Sequence, residues 1–362
     1  MAVGGFDPSS DSIWKNSGSL YVGGSSSANG GEGTLNIRGG GLVDVGGTLK
    51  LWDQGSVFLN GGQLRVKTLD YDPWGGGSFY WYSGELNLTG DNSLYDLYVN
   101  LDSRLTLGSG TTLTMKDGSD LDIQSGGSLQ LGTNTTLALD GGGLNDQNST
   151  LTLGEKQRIT GNGRIDIGSS LNLQGGELAG DDLGLDLFGD LHGYGSVKNT
   201  TMAGNVYVDG GSNGDLSRIL AMSNVDFTPG YTLYMDLVGN DGVAGIDFSH
   251  IIFDGDLDLE GVNLDVAIWE SDFGLSYVSL GQGDIFNLFD FSAATIYHEF
   301  ASIYLPVLES GLEWDLSELY TLGSLRVTAA GGDPVPEPAT LLLLGTGLAG
   351  LAGNSIRKKK KA

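Results

Sequence analysis

The chain has no cysteine among its 362 residues, which removes any disulfide framework and any thiolate-held zinc or iron–sulfur centre. Histidine is almost as scarce. His192, His250 and His298 each lack a neighbouring Gly-x-Ser-x-Gly elbow, and no two lie at the helical spacing that zinc binding uses. They read as surface or turn residues. Cations are few as well: 18 Lys and Arg stand against 45 Asp and Glu, for a formal charge of -27. Five of those 18 occupy the last six positions. So acidic a body repels phosphate backbones, and nucleic acid is excluded as a partner. Proline occurs seven times only, and charge-free apolar runs are short until the very end.

What is abundant is glycine, 62 residues or about one in six, against a usual share of roughly 7%. The glycines do not recur every third residue, so collagen is ruled out. Hydrophobic residues make up 39%, enough to bury a core and to argue against full disorder.

Between residues 17 and 173 a short unit recurs: Gly or Ser, any residue, apolar, any, apolar, then Gly, Asp or Asn. Its clearest run places Leu105, Leu113, Leu121, Leu129 and Leu137 eight residues apart. Two positions later come Leu107, Met115, Ile123, Leu131 and Leu139. Alternation at period two means strand, with these aliphatics inward. Gly, Asn and Asp between the strands supply tight bends because they tolerate positive φ. Three sides of eight residues make a coil of 24, and coils stacked at about 4.8 Å bury a column that no single repeat could bury. The expected fold is all-β: a right-handed three-sided parallel β-helix in which Leu113 lies over Leu137. An antiparallel sandwich or barrel is the competing fold, and it prefers longer strands and Asn-Gly hairpin signals, which the eight-residue run lacks.

The end of the chain has a different design. Val335, Pro336, Glu337 and Pro338 form a short extended stretch, and residues 339–356 carry no charge and begin with Leu341, Leu342, Leu343 and Leu344. Eighteen helical residues span roughly 27 Å, close to a hydrocarbon core of about 30 Å. Arg357, Lys358, Lys359, Lys360 and Lys361 then provide a cytoplasmic anchor under the positive-inside rule. The other reading, a buried core helix, does not explain five consecutive terminal cations.

In this order of parts the last 28 or so residues resemble the sorting signal of PEP-CTERM proteins, which are exported by Gram-negative bacteria that make extracellular polysaccharide. The resemblance implies passage through the inner membrane, recognition and cleavage near the Pro-Glu-Pro by an exosortase, and a final place at the cell surface or outside the cell. The start departs from that pattern. MAVGGFD has neither a basic opening nor an apolar stretch, so either the true start lies upstream or the chain is a truncated product. Residues 18–41 are similar to a repeat shared by autotransporter passengers and PEP-CTERM proteins. Residues 189–245 resemble late passenger turns, and 305–327 resemble the segment that precedes many PEP-CTERM signals.

The expected organisation is therefore a repeat body over 1–238, a cap over 239–330, a linker over 331–338, and a membrane helix with a basic tail over 339–362. The cap is expected because Phe248, Phe253, Phe273, Phe286, Phe289, Phe291, Phe300, Trp269 and Trp314 cluster there, and large rings suit the closed end of a column.

Chemistry is thinly represented. Asp254, Asp256, Asp258 and Glu260 alternate along one strand face, and Asp181, Asp182, Asp186 and Asp190 form a second acidic group. Neither matches an EF-hand loop, and a solvated acidic face is preferred over calcium at both; no other cofactor or metal is expected. The segment with Tyr71, Trp74, Phe79, Tyr80, Trp81 and Tyr82 interrupts the repeat. Exposed aromatics stack on sugar rings, so Trp74, Trp81 and Tyr80 are the candidate contacts to extracellular polysaccharide, against the alternative of rings packed on the protein itself. The function expected is structural or adhesive rather than enzymatic, with no catalytic residues. The alternative is a carbohydrate-active β-helix enzyme, a polysaccharide lyase or hydrolase.

Overall fold

The computed structural model describes residues 2–3, 12–71, 76–146, 150–208, 219–268 and 279–331. Within them the protein is all-β, without an α-helix, and nearly every strand pairs in parallel. No helix among the described residues is long and apolar enough to cross a membrane. Residues 339–362, expected to form a membrane helix and basic tail, lie outside the described residues.

The eight-residue run produces short strands: Ser103–Leu107, Thr112–Met115, Asp120–Ile123, Ser128–Leu131 and the opening of Thr136–Asp146. They do not pair with their sequence neighbours. Leu105 is in register with Leu129, Leu113 with Leu137, and Leu121 with Leu144. Residues of one parity point inward, and Leu105, Leu107, Leu113, Met115, Leu121, Ile123, Leu137 and Leu139 are all buried.

Three columns of in-register residues follow. One runs Val43, Leu64, Leu86, Leu105, Leu129. A second runs Leu35, Val57, Phe79 and is taken up by Leu97, Leu121, Leu144, Ile165. The third runs Leu20, Leu49, Leu69 and is taken up by Asn92, Leu113, Leu137, Ile159. The step from one level to the next varies: 19 residues between Leu86 and Leu105, 24 between Leu105 and Leu129, and 29 between Leu20 and Leu49. Bends absorb the difference. At the corner holding Gly161 (φ 98°) a Cβ would collide with the Leu139 carbonyl one level away, so glycine is required there.

Each column contains one break where no ladder joins successive strands, and at each break a side-chain amide replaces backbone pairing. Asn92 bridges the third column: its Oδ1 accepts from Leu69 N at 2.7 Å, and its Nδ2 donates to Lys67 O at 3.1 Å and Gly90 O at 2.6 Å. Asn100 Nδ2 bridges the second, donating to Trp81 O at 2.8 Å. Gln157 bridges the first: its Nε2 donates to Leu131 O and Gly132 O, both at 2.9 Å, while its Oε1 accepts from Gly154 N at 2.7 Å. Leu129 and Leu131 are half-buried at this break, where Ser128–Leu131 is the last strand of its sheet and no described strand pairs with its far side.

Parallel pairing continues beyond residue 238. Ile219–Phe227 pairs with His250–Asp258, which pairs with Phe289–Tyr297, and Thr232–Leu237 pairs with Asn263–Ile268 and then Ser302–Tyr304. Inside these levels leucine gives way to phenylalanine. Phe253 packs on Phe227, Phe289 and Phe291, and Phe289 on Phe300. A small antiparallel sheet of Ile285–Asn287, Ser324–Ala329 and Leu312–Asp315 lies at this end, where Phe286 meets Phe248 and Trp314. Phe273 and Trp269 lie outside the described residues.

Candidate functional site

The aromatic segment is held by one strand, Ser78–Leu88, whose first half reads Ser-Phe-Tyr-Trp-Tyr-Ser. A strand sends alternate side chains to opposite faces, so the four rings divide two and two. Phe79 and Trp81 turn inward above Val57 and Leu59. Trp81 is 6% exposed and its Nε1 donates to Gly84 O at 3.3 Å, so this indole is core packing and not an exposed platform. Tyr71 joins the inner rings, 6.0 Å from Phe79, which is 6.5 Å from Trp81. The Tyr71 hydroxyl donates to Asp96 O at 3.1 Å, and burial, with Asp96 adding to it, pushes this phenol up to about 12. Trp74 lies outside the described residues.

Tyr80 and Tyr82 turn outward, 43% and 56% exposed. Tyr80 stacks on Phe58, its register partner, with centroids 4.8 Å apart and planes 14° from parallel. Tyr82 lies 6.4 Å from Tyr80 with planes only 6° apart. Three nearly parallel rings therefore stand on one outer face. Tyr80 and Tyr82 belong to the aromatic segment that the sequence offers for sugar contact; the stack on Phe58 is not legible there, but alternation along the strand separates Tyr80 and Tyr82 from Trp81.

Around the break at Asn92 an open groove of about 590 Å³ is lined by Asp70, Tyr71, Asp91, Asn92, Thr112 and Lys116, among others. The cations near it are engaged: Lys50 pairs with Asp70 at 2.7 Å, and Lys116 Nζ sits 4.1 Å above the centre of the Tyr95 ring.

The two acidic groups fall in different settings. Asp181 and Asp182 border a polar groove with Lys198, Asn199, Asn224 and Asp226. Asn199 and Asn224 are both left-handed there, and Asn224 Nδ2 donates to Asn199 Oδ1 at 3.2 Å, one turn above the other. Asp186 is exposed, and Asp190 accepts from Asn205 N at 2.8 Å. In the second group Asp254, Asp256, Asp258 and Glu260 are all exposed. Asp258 and Glu260 converge with His298 so that one ligand atom from each lies within 4.8 Å of the others. His298 Nδ1 is 2.8 Å from Asp258 Oδ1, which raises the imidazole above its ordinary value. Asp258 is held low, first by the Glu260 backbone N–H and then by His298. The convergence of His298 with this pair was not legible in sequence, since 40 residues separate it from Asp258.

The other histidines also have defined places. His192 stacks on Tyr207 (4.2 Å, 11°), and Tyr207 on Tyr234 (4.4 Å, 1°). His250 Nδ1 lies 2.7 Å from Asn287 O.

The sorting-motif residues Val335, Pro336, Glu337 and Pro338, the leucines Leu341 to Leu344 and the cations Arg357 to Lys361 lie outside the described residues. No curated protein matches the chain. Its end is another matter: residues 334–358 match the family described as the PEP-CTERM protein-sorting motif, which marks an exported protein that an exosortase recognises.

Proposed function

We propose that the protein is an exported structural or adhesive component of the bacterial surface or extracellular matrix, without enzymatic activity, released from its membrane anchor by an exosortase. The sorting-motif match over residues 334–358 carries this reading. The body would be a right-handed three-sided parallel β-helix over 1–238 with a cap over 239–330, joined by the linker 331–338 to a membrane helix and basic tail over 339–362. Support for the helix comes from three columns of in-register parallel pairing, most steps lying between 19 and 24 residues. Support for a passive role comes from the cations. Arg164 pairs with Asp166, Arg158 with Glu177 and Arg326 with Glu318, so they are spread along the surface in separate pairs. Extracellular polysaccharide is the matrix partner that exposed tyrosines suit.

The test is mass spectrometry of the mature protein from an exosortase-bearing host. The expected product lacks residues 339–362. Recovery of the intact lysine tail from the cell surface overturns the processing step.

A further inference from the structure

The outer face around Ser78–Ser83 lies at the break in the second column. Away from the breaks and the ends of the sheets a strand is paired on both sides, and outward residues stand in ladders. Here the ladder stops: residues 84–88 continue into Ser103–Leu107, whereas no described strand pairs with residues 79–83 on the side away from Phe58. Asn100 instead ties in the next strand, Leu97–Val99, through the Trp81 carbonyl. That places Tyr98, outward and 49% exposed, on the face that carries Tyr80 and Tyr82. Tyr98 is in register with Asp122, and Asp96 accepts from Asp120 N at 2.9 Å close by.

We propose that Tyr80 and Tyr82, with Tyr98 beside them, form a stacking platform for an uncharged polysaccharide chain. The inference deepens the matrix reading above and rests on it. Four observations converge. The Tyr80 and Tyr82 planes are within 6° of parallel and follow one strand, so both rings are presented in one orientation on a stiff support. Phe58 backs Tyr80 from one side at 4.8 Å, which fixes the ring in advance of binding and lowers the cost of ordering it. Tyrosine pairs an apolar face with a hydroxyl, matching the apolar face and hydroxyl rim of a sugar ring. Finally, Asp96, Asp120 and Asp122 lie close enough to Tyr98 to raise its phenol, and such carboxylates accept sugar hydroxyls while repelling an anionic chain. The same charge argues against a second copy as occupant, because it would bring another body of net charge -27 onto this face.

The experiment is affinity electrophoresis of the exported chain in gels containing hydroxyethyl cellulose, a soluble β-1,3-glucan, dextran or alginate, with sedimentation and thermal melting in parallel. At least one neutral polymer should retard the protein and alginate should not. Tyr80→Ala/Tyr82→Ala should weaken retardation about tenfold, the scale of losing one or two ring contacts. Tyr82→Ser alone should weaken it in part, without moving the melt. Retention by alginate alone, or by none of the four, overturns both this platform and the polysaccharide reading beneath it. Neutral-polymer binding that survives in folded Tyr80→Ala/Tyr82→Ala and in Tyr82→Ser overturns the platform and leaves the wider reading standing. A dimer in sedimentation that the variants abolish assigns the face to a second copy and overturns the proposal.

Discussion

Leu113 lies in register with Leu137 on the adjacent parallel strand, each at most 1% exposed, so a leucine is covered by the leucine 24 residues further on. Leu121 repeats the arrangement between Leu97 and Leu144 with no exposure at all. A carboxylate at that position would have apolar side chains on both sides. Leu121→Asp should therefore cost several kcal/mol and abolish a cooperative melt, as followed by circular dichroism. Leu129→Asp should be milder, since Leu129 is half-buried under an open strand edge. Equal melts for the two variants would contradict the burial difference.

The aromatic strand predicts a sharp contrast between neighbours. Trp81→Ala empties a buried site, and such truncations cost about 3–5 kcal/mol. Tyr82→Ala removes an exposed ring and should change stability by no more than about 0.5 kcal/mol. Denaturant unfolding of the two variants measures this directly.

Gln157 offers a test of the amide bridges. Gln157→Ala strands two carbonyls and one amide that it satisfies, a loss of about 1–3 kcal/mol. Gln157→Glu should be worse at neutral pH, because a carboxylate faces two carbonyl oxygens and cannot donate. Its folded-state pKa would be raised, so part of the lost stability should return as pH falls and the acid becomes protonated. Melts of both variants across the acidic range would check the sign.

His298 and Asp258 should titrate apart from their ordinary values, in opposite directions. The imidazole is raised by Asp258 and the carboxyl is lowered by Glu260 N–H and His298. The histidine contribution is complete below its ordinary value near 6.5 and fades as pH rises through the raised one. The aspartate contribution is complete above its ordinary 3.8 and fades as pH falls through the lowered one. Both groups are exposed, so the readout is NMR titration rather than stability. Asp258→Asn should return the His298 midpoint towards 6.5, and an unmoved midpoint would refute the pairing.

Much of this was legible in the chain because the signal is local. Period-two alternation decided which way Leu105, Leu113 and Leu121 point, and eight-residue spacing placed Leu113 against Leu137. The same alternation separates Trp81, which is buried, from Tyr80 and Tyr82. The breaks were illegible for a different reason. Asn92, Asn100 and Gln157 are unremarkable in sequence, and their importance comes from backbone groups 19 to 26 residues away. The meeting of His298 with Asp258 and Glu260 is hidden in the same way.

The amide bridges also bear on how such a chain can change in length. Within a ladder the register fixes which residues face one another, and the bends between strands take up any difference in step length. Where Asn92, Asn100 and Gln157 take over, the strands are joined by reach rather than by register, and turns of unequal girth can meet. Phe79 and Leu97 lie on successive strands of one column only 18 residues apart, while Leu113 and Leu137 need 24. The joint works as a splice, a level at which residues can be gained or lost without rethreading the stack on either side.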